Sequence, residues 1–514
     1  MKAIYTTLFV CISVLSHAQF NPQTREITEK FYPDFDVEIN TPAFQKEKGF
    51  TNYDELMEFI EKQVKSHPKY ISYEFIGESQ KGRKIPLLKI NDKSADGEKL
   101  NFWIQGGMHG NEPASTEGVL YLIDRLLNNP EQRKILEKLN IEIIPMANID
   151  GYEKQVRDAA NGLDLNRDQT KLQIKESILL KKAFTKFNAD VALDFHEYRP
   201  YRRDYMRMSN WGMTGAFDVM FLYSANLNVP QELREFTKEY FVNPAKNRME
   251  ELEISHHDYF SSTQHYGEIQ LNQGSLNSRS SATSYALANC ISTLIEVRGV
   301  ALKRASYKRR VLTTYEAGWS YMQSAASRVA EIKALLARTG SETEHSAVVK
   351  FSRNIRTEQV KMLDLEKPSM VDTLLAIRDA WGCTPKLERK RPLAYILLPG
   401  QENLVEKLKI LGVDIETVQK EQQFDVQVYE VTDYFQDKER YEGVKRQYVE
   451  TTLKSETRNI PPGSSLIRMD QPHSNFAVEV LEPEASNSFI TWDVLHTEKG
   501  AELPIYRYLN KENL

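Results

Sequence analysis

The chain predicts an α/β fold: a mixed, largely parallel central sheet with helices on both faces, followed by a smaller C-terminal α+β domain. Three observations carry that reading. Between about residue 50 and about 310, apolar runs of strand length alternate with stretches of helical spacing. The runs are nearly continuous in apolar residues, as strands covered on both faces must be. Finally, 514 residues exceed what one core usually organises, so more than one domain is expected.

The elements follow in order. NYDELMEFIEKQVKSH (52–67) sets Leu56, Phe59, Ile60 and Val64 on one helical face. IPLLKI (85–90) and LNFWIQGG (100–107) read as strands, and EGVLYLIDRLLNN (117–129) returns to helix. IEIIPMANID (141–150), ADVALDFHEY (189–198) and ISTLIEVRG (291–299) are further strands that end in turn residues. A long helical stretch (305–338) ends near Gly340, and the polar segment GSETEHS marks a boundary. Beyond it, PLAYILLPG, FDVQVYEV, NFAVEVLEP and SFITWDV read as strands and ENLVEKLKI as a helix. The predicted divisions are therefore a leader over 1–18, an extension over 19–50, a large α/β domain over 51–345 and an accessory domain over 346–514.

Composition narrows the function. A net charge of −5 with 27% charged and 41% apolar residues describes a soluble globular protein and indicates neither nucleic acid nor an anionic membrane as partner. MKAIYTTLFVCISVLSHAQF has one lysine, an uncharged run and small residues at Ser16 and Ala18, which predicts a signal peptide cut near Ala18 and export to the periplasm or medium. That run is shorter than the ~20 residues needed to span a bilayer, and no later segment reaches that length. Cys290 and Cys383 remain in the mature chain and permit at most one bridge.

In sheets of this class, ligands gather where strands end. His109 and Glu112, three apart in GGMHGNEPASTEG, follow the strand LNFWIQ, and Gly106, Gly107 and Gly110 let the backbone bend there. His196 ends VALDF in the same way. Two imidazoles and one carboxylate form a donor set used by catalytic zinc, with a position left open for water. A compact HExxH is absent. The pair His256-His257 with Asp258 is a second conceivable cluster, for which a solvated loop is the simpler account.

With those residues, NIDGYEKQVRDAANGLDLNRD (148–168) and Glu296 in STLIEVRG, the chain resembles the carboxypeptidase A-like zinc peptidase family from about residue 50 to about 310. The resemblance implies one zinc ion per chain, held by His109, Glu112 and His196. It implies Glu296 as general base and acid, and Arg157 as the cation facing charge on the carbonyl oxygen. Asn166 and Arg167 would dock the substrate's terminal carboxylate, and Asp164 would hold the other nitrogen of His109. Asp194 is read as a structural acid. The family's closing tyrosine is not assigned: Tyr266 and Tyr285 both remain open. The expected activity is hydrolysis of a peptide or small amide. A zinc deacylase of N-acyl amino acids or cell-wall peptides remains an alternative, as does a non-catalytic peptide-binding protein.

Overall fold

The computed structural model describes residues 25–208, 212–265, 267–340 and 346–510. The predicted leader with its cleavage position, Tyr266, part of MRMSNWGM and most of GSETEHS lie outside the described residues.

The central sheet has eight strands: β1 Ile71–Glu78, β2 Lys84–Ile90, β3 Leu100–Gln105, β4 Leu139–Ile144, β5 Val191–Tyr198, β6 Val219–Tyr223, β7 His256–Asp258 and β8 Ile291–Arg298. They lie in the order β1-β2-β4-β3-β5-β8-β6-β7. The middle, β4-β3-β5-β8, is parallel, and antiparallel pairs flank it. Parallel pairing in the middle requires crossovers, and helices supply them. The principal helices are α1 Tyr53–Ser66, α2 Pro113–Asn128, α3 Lys175–Phe187, α4 Ser281–Leu287 and α5 Tyr307–Ala326. The helical stretch predicted as one element over 305–338 is thus two, with a second helix at Val329–Gly340.

Strand parity sorts the two faces. Trp103 meets the edge of Phe184 in α3 with ring centroids 5.7 Å apart, and Phe184 stacks on Tyr285 of α4 at 4.2 Å. On the other face Tyr321 of α5 donates to Thr293 Oγ1 at 3.0 Å, and Gly318 leaves room for Phe195 and Leu122. Both faces are therefore buried, which explains why these strands read as continuous apolar runs.

The segment before α1 is a strap. Asp34 accepts from the backbone N–H of Arg309 at 3.0 Å, and Tyr32 Oη donates to the carbonyl of Ala216 at 2.9 Å. Thr41 Oγ1, Thr51 Oγ1 and the backbone N–H of Ala43 all donate to Glu117, buried in α2.

The structure draws the boundary near 346 differently. Strands Ala347–Asp364 and Ser369–Arg389 form a long hairpin that joins Met213–Gly215, Glu268–Gln273 and Phe260–His265 in one five-stranded sheet. By pairing, this hairpin continues the catalytic region. The remaining tail builds a six-stranded sheet from Ala394–Leu397, Glu416–Thr417, Gln422–Gln436, Gln447–Ile460, Ser465–Arg468 and Glu502–Tyr508, with a helix at Glu402–Ile410.

Two tail assignments need correction. NFAVEVLEP is a helix, Ser474–Leu481, not a strand. Every residue of it is buried, so no 3.6-residue stripe marks it in the sequence. SFITWDV forms turns and no strand, with Phe489, Ile490 and Trp492 buried by position alone. That helix also docks the tail, because Glu479 accepts from Asn226 and Asn228 of the catalytic region at 2.7 and 2.8 Å. Cys290 and Cys383 are both free thiols. Among the described residues no helix is long and apolar enough to cross a membrane.

Candidate metal centre and substrate cleft

The donor cluster stands where the parallel strands end. After β3 the chain turns through Gly107, whose φ of +63° lies in the left-handed region that glycine alone enters without cost. Gly110 then presses on the backbone of Gly151, where a Cβ would come within 2.1 Å. This turn delivers His109 and places Glu112 just before α2, while β5 carries His196.

His109 Nδ1 lies 2.8 Å from Glu112 Oε1, and His196 Nδ1 lies 2.9 Å from Glu112 Oε2. The two Nδ1 atoms are themselves 3.0 Å apart. The three side chains are buried, and one ligand atom from each lies within 4.8 Å of the others. Both imidazoles are committed on the far side: His109 Nε2 to Asp164 at 3.0 Å and His196 Nε2 to Asp194 at 2.8 Å. A carboxylate on Nε2 keeps the proton there and presents Nδ1 as a lone pair. Three donors converging at such distances suit a cation between them, so the residues fit the zinc that the sequence implies. Burial opposes charge on Glu112, but the two imidazoles outweigh it and hold its carboxyl well below the usual range.

Of the residues predicted for the site, all line or abut one cavity of about 470 Å³. Glu296 stands directly opposite His196 in the β5–β8 register, and its Oε2 has no hydrogen-bond partner among the described residues. Burial and the charge of Glu112 push this carboxyl up to about 7. Arg157 is clamped by Asp164 Oδ2 through Nε at 3.0 Å and Nη2 at 2.8 Å, and its Nη1 sits 3.2 Å from His109 Nδ1. Asp164 thus serves His109 and Arg157 together, and it caps the turn Leu165–Arg167 by accepting from the backbone N–H of Asn166. Asn166 Oδ1 accepts from the backbone N–H of Ser281 at 2.8 Å. Arg167 faces the cavity, 4.0 Å from Asp164.

Three outcomes differ from the sequence reading. Asp194 is not an isolated structural acid: it holds His196 and also accepts from Ser281 Oγ at 2.6 Å. The signal was present, since residues two apart on a strand share a face. Tyr285 is a core residue, donating to Gln105 at 3.3 Å, whereas Tyr259 lines the cavity. Burial and the nearby Glu296 push the Tyr259 hydroxyl up to about 12, leaving it a donor at neutral pH. His256-His257-Asp258 forms the edge strand β7 rather than a loop. His256 pairs with Glu250 at 3.2 Å and His257 with Glu358 at 3.3 Å, and their donors do not converge.

Comparison with known proteins bears on this geometry. Residues 56–205 match the family model described as zinc carboxypeptidase, a span that contains His109, Glu112 and His196. Carboxypeptidase 2 of Trichophyton rubrum is 27% identical over 527 aligned residues, covering 97% of this chain and 96% of that one. Carboxypeptidase 2 of Trichophyton equinum is 27% identical over 91% of this chain and 90% of its own. A crystal structure of carboxypeptidase A from Helicoverpa armigera superimposes with a TM-score of 0.43 at 16% identity, covering 59% of this chain and 80% of that one. The family model spans the whole donor set, and similarity to fungal carboxypeptidases runs the length of both chains, so the chain carries a zinc carboxypeptidase domain over residues 56–205 and is a metallocarboxypeptidase.

Proposed function

We propose that the chain is an exported enzyme that removes C-terminal residues from peptides, with Glu296 as its proton carrier and Arg167 as its gauge of chain end. One juxtaposition supports this most directly: the donor cluster, the unpartnered Oε2 of Glu296 and the Arg167 guanidinium open onto the same cavity. A zinc ion held by His109, Glu112 and His196 would supply Lewis acidity at this site.

The chain's own residues account for the remaining tasks. Glu296 accepts the proton of the attacking water and hands it to the leaving amine, so that the C–N bond breaks with OH on carbon and H on nitrogen. Arg157, fixed by the two hydrogen bonds it donates to Asp164, faces the negative charge that develops on the carbonyl oxygen. Arg167 offers a planar fork to a terminal carboxylate, and a fork that must be filled by a chain end gives exopeptidase action. The leader composition supports export, and the mature protein recovered outside the cytoplasm should begin at Gln19.

Arg167→Ala provides the test. It should lower kcat/KM for N-blocked peptides with a free C-terminus by about a hundredfold, the loss of a charge-assisted pair of hydrogen bonds. The weak turnover of the same peptides as C-terminal amides should change little. An equal fall for free and amidated peptides would remove Arg167 from the docking role, and preferential turnover of N-acetylated amino acids would turn the reading towards a deacylase.

A further inference from the structure

The cavity is richer in arginine than the reaction requires. Two of its arginines are consumed by the protein: Arg157 by Asp164, and Arg353 by the backbone carbonyls of Gln273, Gly274 and Arg378. Arg279 differs. Among the described residues no carboxylate lies within ion-pair distance of its guanidinium.

Its position is nevertheless fixed. The guanidinium carbon lies 5.4 Å from the Tyr441 ring centroid and 5.3 Å from that of Trp492, both supplied by the C-terminal sheet region. Its backbone carbonyl accepts from the N–H of Gln169 at 3.3 Å, and two residues on, the N–H of Ser281 donates to Asn166 at 2.8 Å. Arg279 is therefore stitched to the Asn166–Arg167 segment on both sides. Arg167 is among its charged neighbours, and the two guanidiniums line the same cavity.

Resting on the reading of Arg167 as the carboxylate dock, we propose that Arg279 selects substrates whose last residue carries an acidic side chain. A bound peptide with its scissile carbonyl at the donor cluster and its terminal carboxylate on Arg167 has one group left to extend further, the side chain of that last residue. Two guanidiniums held beside each other repel, and a ligand end bearing two carboxylates relieves both. Stacking on two rings removes most of the rotamer freedom of Arg279 before the ligand arrives, so little order remains to be imposed on binding. The aromatic pair gives the C-terminal region a function in the cleft: it aims the residue that reads the substrate.

The experiment uses the zinc-loaded full chain and N-blocked tripeptides that differ only in a last residue of Glu, Gln, Phe or Arg. The expected order is Glu over Gln by about tenfold to a hundredfold in kcat/KM, the range of one hydrogen-bonded charge. Arg279→Gln should bring Glu down to Gln and leave Phe within about twofold, while Arg279→Lys should keep part of the preference. Wild type cleaving Gln as fast as Glu overturns the inference. So does a uniform fall across all four peptides in Arg279→Gln, which would make Arg279 a second grip on the terminal carboxylate. Absence of cleavage for every peptide by wild type would instead sink the carboxypeptidase reading on which the inference stands.

Discussion

At the donor end of the cleft, polar atoms are held several times over by buried neighbours. His109 is held by Asp164, His196 by Asp194, and Glu112 also accepts from the backbone N–H of Glu197 at 3.0 Å. At the arginine end the framework is loop and tail: Arg167 sits on a three-residue turn, and Arg279 leans on rings from loops of the C-terminal region. The difference follows from what each end does. Geometry for bond cleavage tolerates little displacement, so it is built on strand ends with a rigid second layer. Recognition of a chain end tolerates exchange of loops, so it is built where loops and a second region meet.

The largest effect that would break this comparison is expected from Glu296→Gln. The amide keeps shape and burial and cannot accept a proton, so kcat should fall by about 10²- to 10⁴-fold while one zinc per chain is retained. The pH profile sharpens the point. Only the ionised carboxylate is a base, so activity is lost as pH falls through the pKa of Glu296. Burial and Glu112 set that value at about 7 without a metal charge, and a bound dication attracts the carboxylate's charge and lowers it. The acid limb of kcat/KM should therefore have its midpoint below 7. Unchanged kcat in the variant would move the base to another group.

A smaller effect separates the two aspartates. Asp164→Asn and Asp194→Asn should each weaken zinc affinity by about 10- to 100-fold in a competition titration against a chelator. At saturating zinc they should part. Asp164 also clamps Arg157, so its variant should lose further activity in kcat, whereas Asp194→Asn should approach the wild-type kcat. Equal kcat values would show that Arg157 needs no anchor.

The same contrast explains what the sequence made legible. His109 and His196 could be placed because each follows an apolar run at the end of a buried strand, Glu112 by its spacing from His109 and Glu296 by the family resemblance, and the buried strands themselves declared the sheet. Asp194 had the right parity, but pairing to an imidazole is a side-chain event that periodicity does not encode. Tyr259 follows the short edge strand β7 with no apolar run before it, so nothing local pointed to the cleft. The hairpin 347–389 escaped because its strands alternate exposed and buried residues and pair with segments some hundred residues earlier in the chain. Long-range pairing, not local propensity, decides such strands.

The smallest effect concerns the contact between the two regions. Glu442 sits at the tip of the hairpin joining Gln422–Gln436 to Gln447–Ile460, and its carboxylate accepts from the backbone N–H of Asp164 at 3.1 Å. Its φ of 49° is left-handed, a conformation that costs a side chain roughly 1 kcal/mol relative to glycine. Glu442→Ala keeps that cost and loses the hydrogen bond, so it should destabilise the protein by about 1 kcal/mol in urea melts. Glu442→Gly loses the bond and sheds the backbone cost, so its stability should stay within about 0.5 kcal/mol of wild type. Both variants free the turn that carries Asn166 and Arg167, so both should raise KM for free-carboxyl peptides by less than about tenfold with kcat nearly unchanged. A KM that moves in Ala and not in Gly would tie the arginine end to global stability. A KM that moves equally in both ties it to this one contact, and makes the C-terminal region part of the recognition apparatus rather than a passenger.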